Sequence, residues 1–154
     1  LYQSLPNKID KIELILQKWV EVWYSNFYFF RSERSQDLKN LWSKNDRFEK
    51  IVLEASEQSW RNIIPKIYFL DNIDFSNLKW NSFYFHTNSK KSKTLKDIII
   101  DNVENNIFVW PEWGFSESET LEFDKNNFSK IYLWNNILRT ETASIVVWFW
   151  FNQK

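Results

Sequence analysis

The chain has 154 residues, 44% of them hydrophobic and 26% charged, and its 20 basic and 20 acidic side chains cancel. That length suits one hydrophobic core, and the neutral balance excludes both a charge-driven disordered chain and a polycationic nucleic-acid binder. No cysteine is present, which removes disulfides, thiolate metal sites and cysteine nucleophiles.

In chain order, Ile9, Ile12, Leu16, Trp19 and Trp23 fall on one helical stripe, so a helix is expected from Asn7 to about Tyr24. Ser25 to Arg31 could continue that helix or form a strand. A second helical region is expected from Ser35 to Ile63, broken near Trp42, restarted at Ser43 and closed by Pro65. Lys66 to Leu70 and Leu78 to Phe85 are aromatic and β-branched, and read as two strands paired with each other. The run from Thr87 to Lys93 reads as an exposed loop, followed by a short helix from Thr94 to about Asn102. Asn106 to Trp110 reads as a strand ended by Pro111. Between Asp124 and Leu138, helical spacing and strand composition compete. Ala143 to Phe151 is apolar almost throughout and gives the strongest strand signal, expected at the centre of the sheet. The order implies a single α+β domain over residues 1–154, its N-terminal helices packed on an antiparallel or mixed β-sheet.

Composition limits the chemistry further. Thirty rings (14 Phe, 10 Trp, 6 Tyr) accompany a single glycine, Gly114, where average usage of about 7% would give roughly 11. Glycine-dependent dinucleotide fingerprints, phosphate loops, nucleophile elbows and calcium loops cannot be written. Turn positions with positive φ should fall to Asn and Asp, and 17 asparagines are present. The richness in Asn, Lys, Ile and Phe also fits an A/T-biased genome. No run of 18 apolar residues is present and no signal sequence is recognisable, so no membrane span is expected, and the absence of disulfides favours a reducing cytoplasm over secretion. A chain that begins at Leu1 and has no methionine is expected to be part of a longer translation product.

His86, the one histidine, ends an aromatic strand and could serve as a general base or lie as a half-exposed imidazole. Lys90, Lys91, Lys93 and Lys96 form a basic run, whereas Glu112, Glu117, Glu119, Glu122 and Asp124 form an acidic one. Asp97 with Asp101, and Asp71 with Asp74, are carboxylate pairs without a visible desolvating context. The most distinctive segment is Trp110-Pro111-Glu112-Trp113-Gly114-Phe115, which is either an exposed ring platform or a plug over the core edge.

From these residues the leading expectation is a non-catalytic, intracellular binding protein, in the broad style of small bacterial antagonist or immunity domains. Its contact surface would comprise Trp110, Glu112, Trp113, Phe115, Glu117 and Glu119, facing a basic protein partner. No cofactor, metal or catalytic residue is assigned, and nucleic acid is not expected as a partner. The alternatives are a small hydrolase acting on sugars or phosphodiesters, with Glu112 or Asp97 as acid or base and His86 assisting, and an aromatic-lined ligand-binding domain.

Overall fold

The computed structural model describes residues 1–39, 41–78, 81–86, 93–94, 105–133 and 137–151. Seven strands and four α-helices are described along them: β1 Tyr2–Ser4, α1 Ile9–Glu21, β2 Asn26–Phe30, α2 Asn45–Gln58, β3 Lys66–Leu70, β4 Asn81–His86, β5 Lys93–Thr94, β6 Asn105–Val109, α3 Glu117–Lys125, β7 Ser129–Tyr132 and α4 Thr140–Phe151. The strands lie in the order β3-β2-β1-β6-β4-β7-β5, and every pair is parallel.

The antiparallel or mixed sheet expected from the sequence is therefore overturned. Parallel strands covered on both faces read as continuous apolar runs, and Phe27–Phe30, Phe83–Phe85 and Ile107–Val109 are such runs. Lys66–Leu70 and the following strand do not pair with each other. The first is the sheet edge beside β2, and the second lies between β6 and β7.

Helix α1 buries Ile12, Ile15, Leu16, Trp19 and Val20, the stripe its periodicity dictates. These residues share a core with Phe27, Phe29, Phe48 and Val52. On the same sheet, Tyr68, Tyr28, Tyr2 and Phe108 stack in sequence at centroid distances of 4.9, 4.8 and 4.5 Å. The ladder follows the strand register, in which Tyr28 lies beside both Tyr68 and Tyr2, and Tyr2 beside Phe108. A second core gathers Tyr84, Phe108, Phe115, Phe123 and Phe128 with Ala143 and Val147 of α4.

Ser25 to Arg31 resolves as strand β2, and the ambiguous stretch after Asp124 as strand β7. The second helix starts at Asn45, and no side chain caps it. Thr94 belongs to strand β5, and the rest of the short helix expected there lies outside the described residues.

The largest departure is Ala143 to Phe151, which is helix and not a central strand. An apolar run of this length does not distinguish a buried strand from a buried helix. Thr140 and Glu141 supply an N-terminal start, and Ala143 and Val147, four apart, face the core.

Three helices end alike. After α1, the N–H of Trp23 donates to Val20 O and that of Tyr24 to Trp19 O, both at 3.1 Å. After α2, Trp60 donates to Glu57 O at 3.2 Å and Arg61 to Ser56 O at 2.9 Å. After α3, Asn127 donates to Asp124 O at 3.2 Å and Phe128 to Phe123 O at 3.0 Å. This paired pattern is the Schellman motif, whose first residue past the cap takes a left-handed backbone. Here φ is 69° at Trp23, 57° at Trp60 and 60° at Asn127. Trp60 is 89% exposed, so its side chain contributes little packing against the strain of about 1–2 kcal/mol that a left-handed L-residue carries. Trp60→Gly is expected to raise unfolding stability by about 1 kcal/mol, read from the urea midpoint at unchanged slope.

Candidate functional site at the carboxyl ends of the strands

In an open parallel sheet, ligands bind outside the carboxyl ends of the strands, where neighbouring strands send their chains in opposite directions. That place falls between β1 and β6. The chain leaves β1 towards β2 on one side, and leaves β6 through α3 towards β7 on the other. Register aligns the ends of the neighbouring strands, since His86 lies beside Tyr132 and Thr94 beside Tyr132.

The segment after β6 is Trp110-Pro111-Glu112-Trp113-Gly114-Phe115-Ser116. Gly114 donates its N–H to Pro111 O at 2.9 Å and has φ of 70°, so the loop turns tightly there. No heavy atom lies within 4 Å of where a Gly114 Cβ would be, so backbone conformation selects glycine and crowding does not.

Four anchors hold this loop. The Glu112 carboxylate accepts the Asn7 backbone N–H at 3.0 and 3.1 Å and pairs with Lys11 Nζ at 2.5 Å. Thr140 Oγ1 donates to the Trp110 carbonyl at 2.5 Å and accepts from Gln3 Nε2 at 2.7 Å, all within buried surroundings. Arg34 Nη1 donates to Trp113 O at 2.8 Å. Ser116 caps α3 reciprocally with Glu119, whose second carboxylate oxygen accepts the Glu33 N–H at 3.0 Å. Residues following β1, β2 and β6 and the start of α4 are thereby tied into one assembly.

The residues expected to form a contact surface therefore separate. Trp110 and Phe115 are buried, Glu112 and Glu119 are anchors, Glu117 is exposed, and Trp113 is 68% exposed. The segment is neither wholly platform nor wholly plug. Gln3, Asn7, Lys11 and Thr140 belong to the same assembly and carried no signal in the sequence. Gln3 sits in a buried strand with 0% exposure, and parallel pairing brings it beside residues more than 100 positions away.

Three buried acceptor atoms here, Gln3 Oε1, Asn7 Oδ1 and Glu141 Oε2, have no partner among the described residues. Buried polar atoms without partners carry a desolvation cost that a bound polar ligand would relieve. Among the described residues no group of acidic or histidine side chains could hold a metal ion.

At the end of β4, burial first and Lys130 second hold the His86 imidazole below its ordinary pKa, with Asp124 opposing. Tyr84, two residues earlier, donates its hydroxyl to Asp124 Oδ1 at 2.9 Å, and burial foremost raises its pKa. Between the depressed folded pKa of His86 and its value in the open chain, the unfolded state binds more protons. The contribution of His86 to stability is expected to be level above about pH 6.5 and to fall as pH drops below it. His86→Gln should reduce that acid-side loss, measured by urea unfolding at neutral and mildly acid pH. Asp97, the other proposed acid, lies outside the described residues.

A separate groove of about 890 Å³ between α1 and α2 is lined by Asp10, Glu13, Glu21 and Glu54. Its acidic lining does not suit a polyanion.

The RNA methyltransferase domain family matches residues 1–152. This chain belongs to that family. It is 35% identical over 143 residues to the ribosomal RNA small subunit methyltransferase E of Mesomycoplasma hyopneumoniae, covering 90% of this chain and 62% of that protein. It is 33% identical to ribosomal RNA small subunit methyltransferase E 2 of Borreliella burgdorferi, covering 88% and 58%. The chain thus spans about three-fifths of these relatives' length.

Among solved structures, the Neisseria gonorrhoeae ribosomal RNA small subunit methyltransferase E bound to S-adenosyl methionine superposes with a TM-score of 0.82 at 25% identity, over 99% of this chain and 65% of that one. A Legionella pneumophila putative methyltransferase in complex with the same cofactor gives 0.83 at 24% identity, over 96% and 63%. The fold is the Rossmann-like SPOUT methyltransferase fold.

Membership of the RNA methyltransferase family overturns the expected non-catalytic binding protein. It also overturns the expectation that nucleic acid is not a partner, because that inference rested on net charge, which says nothing about a local RNA-binding face. Among the described residues no helix is long and apolar enough to cross a membrane.

Proposed function

We propose that this chain is the catalytic portion of a cytoplasmic RNA methyltransferase that takes its methyl group from S-adenosylmethionine and acts on small-subunit ribosomal RNA. The family match over residues 1–152 carries this reading. The unpartnered acceptors at the strand ends support it, because a bound cofactor with amino and hydroxyl donors would satisfy them.

The fit is to a site made largely of backbone. The loop from Trp110 to Ser116 would hold the cofactor through main-chain groups, with Gln3 and Glu141 offering side-chain acceptors from β1 and α4. When bound, S-adenosylmethionine supplies an electrophilic methyl group on a sulfonium centre. The chain's own residues orient the loop: Glu112 against α1, Thr140 against Trp110, and Arg34 against Trp113. Of the expected surface residues, Glu112 and Glu119 act by positioning and Phe115 by filling the core beneath. Of the lysine run from Lys90 to Lys96, Lys93 is the described member and is exposed in β5, whose Thr94 lies beside Tyr132 at the end of β7. Cations there would contact RNA phosphates, with affinity falling as salt rises.

Calorimetric titration with S-adenosylmethionine, followed by transfer of labelled methyl to small ribosomal subunits, tests the reading. Saturable binding and label in ribosomal RNA are expected. Absence of cofactor binding by a folded chain would overturn it.

A further inference from the structure

The left-handed positions of this backbone raise a question of residue identity. Four described residues have φ between 57° and 70°: Gly114, Asn127, Trp23 and Trp60. Glycine fits such a position freely and asparagine tolerates it, but for a bulky ring it is an outlier. Both tryptophans occupy the residue after a helix cap in a fully hydrogen-bonded Schellman motif, where glycine is the usual occupant. Two helices of three thus end on the side chain least suited to the turn, although the third ends on asparagine as expected.

Composition points the same way. One glycine and ten tryptophans together make 11 of the 154 residues, which matches the share of about 7% that glycine alone ordinarily holds. Exposure adds a third observation, since Trp23, Trp42, Trp60 and Trp113 are all exposed. Even Trp19, fully buried, leaves its indole N–H without an acceptor among the described residues, whereas buried indoles usually have one.

We infer that the residues written as tryptophan in this chain are inserted as glycine in its cell of origin, through one codon that some genetic codes read as tryptophan and others as glycine. The inference stands apart from the methyltransferase reading. It explains both Schellman positions, the deficit and the excess with a single cause. It also changes the candidate site, because positions 110, 113 and 114 would then all lack side chains. The backbone around Pro111 and Glu112 could approach a ligand closely on both sides.

Tandem mass spectrometry of the protein from its source cells tests this after cleavage at Lys and Arg. Peptides 19–31, 51–61 and 97–125 report positions 23, 60, 110 and 113. Each of these positions is expected to carry glycine, so each peptide is lighter than its written sequence by one indole-bearing side chain per tryptophan. Tryptophan at any of the four overturns the inference. The spectra are indifferent to activity, so failure of the methyltransferase reading would leave this result untouched.

Discussion

Glu112→Ala is expected to weaken S-adenosylmethionine binding by about ten- to a hundredfold, the range set by hydrogen bonds to a charged group at about 1.5–3 kcal/mol. The carboxylate joins the loop after β6 to the first turn of α1 through the Asn7 N–H and Lys11. A carboxylate at a helix N-terminus is also favoured by the helix dipole. Truncation leaves the Asn7 N–H without its acceptor and frees the turn that Gly114 makes. Because the Lys11 pair is partly exposed, its Coulombic share is small and screened by salt. Glu112→Gln, which keeps an acceptor for Asn7, should therefore recover most of the affinity. Calorimetry on both variants checks this. Unchanged affinity in Glu112→Ala would show that the loop does not hold the cofactor.

Thr140→Val is expected to cost about 2–3 kcal/mol of stability through the loss of two buried hydrogen bonds. In a domain of this size that lowers the melting temperature by about 4–12 °C. The hydroxyl is the sole described link that donates to Trp110 O at short range and accepts from Gln3. Valine matches its shape, so packing is conserved and only hydrogen bonding is lost. Gln3 Nε2 keeps Ser4 O at 2.9 Å and a long 3.4 Å contact to Trp110 O, which bounds the loss. Thr140→Ser retains the hydroxyl and should stay within about 1 kcal/mol of the parent. Differential scanning calorimetry on the pair separates hydrogen bonding from packing.

Amphipathic helices were legible where one face meets water. The stripe of α1 reads directly from Ile12, Leu16 and Trp19 because its opposite, exposed face carries Asp10 and Gln17. Strands buried on both faces have no such contrast, so β2 stayed undecided and α4 was mistaken for a strand. Pairing direction was not legible at all. It depends on crossovers that bring Tyr2 beside Tyr28 and Phe108, and no local feature of Tyr2 encodes either neighbour.

The candidate site divides in the same way. The segment from Trp110 to Ser116 stood out by composition, and its place after a strand was correct. Gln3, Asn7 and Thr140 did not, because polar residues in apolar surroundings show their purpose only through partners distant in sequence. The single glycine was read as excluding loops that need glycine, yet the backbone takes glycine-like turns at Trp23 and Trp60. Residue type and backbone demand disagree there, and only coordinates could show it.

The position of β1 has a kinetic consequence. Within this chain β1 lies between β2, synthesised soon after it, and β6, synthesised about a hundred residues later. Contacts so far apart in sequence slow folding, since the intervening chain must be closed before they form. The amino-terminal half can therefore assemble early with an open seam along β1, a strand edge in need of protection until the rest of the polypeptide arrives.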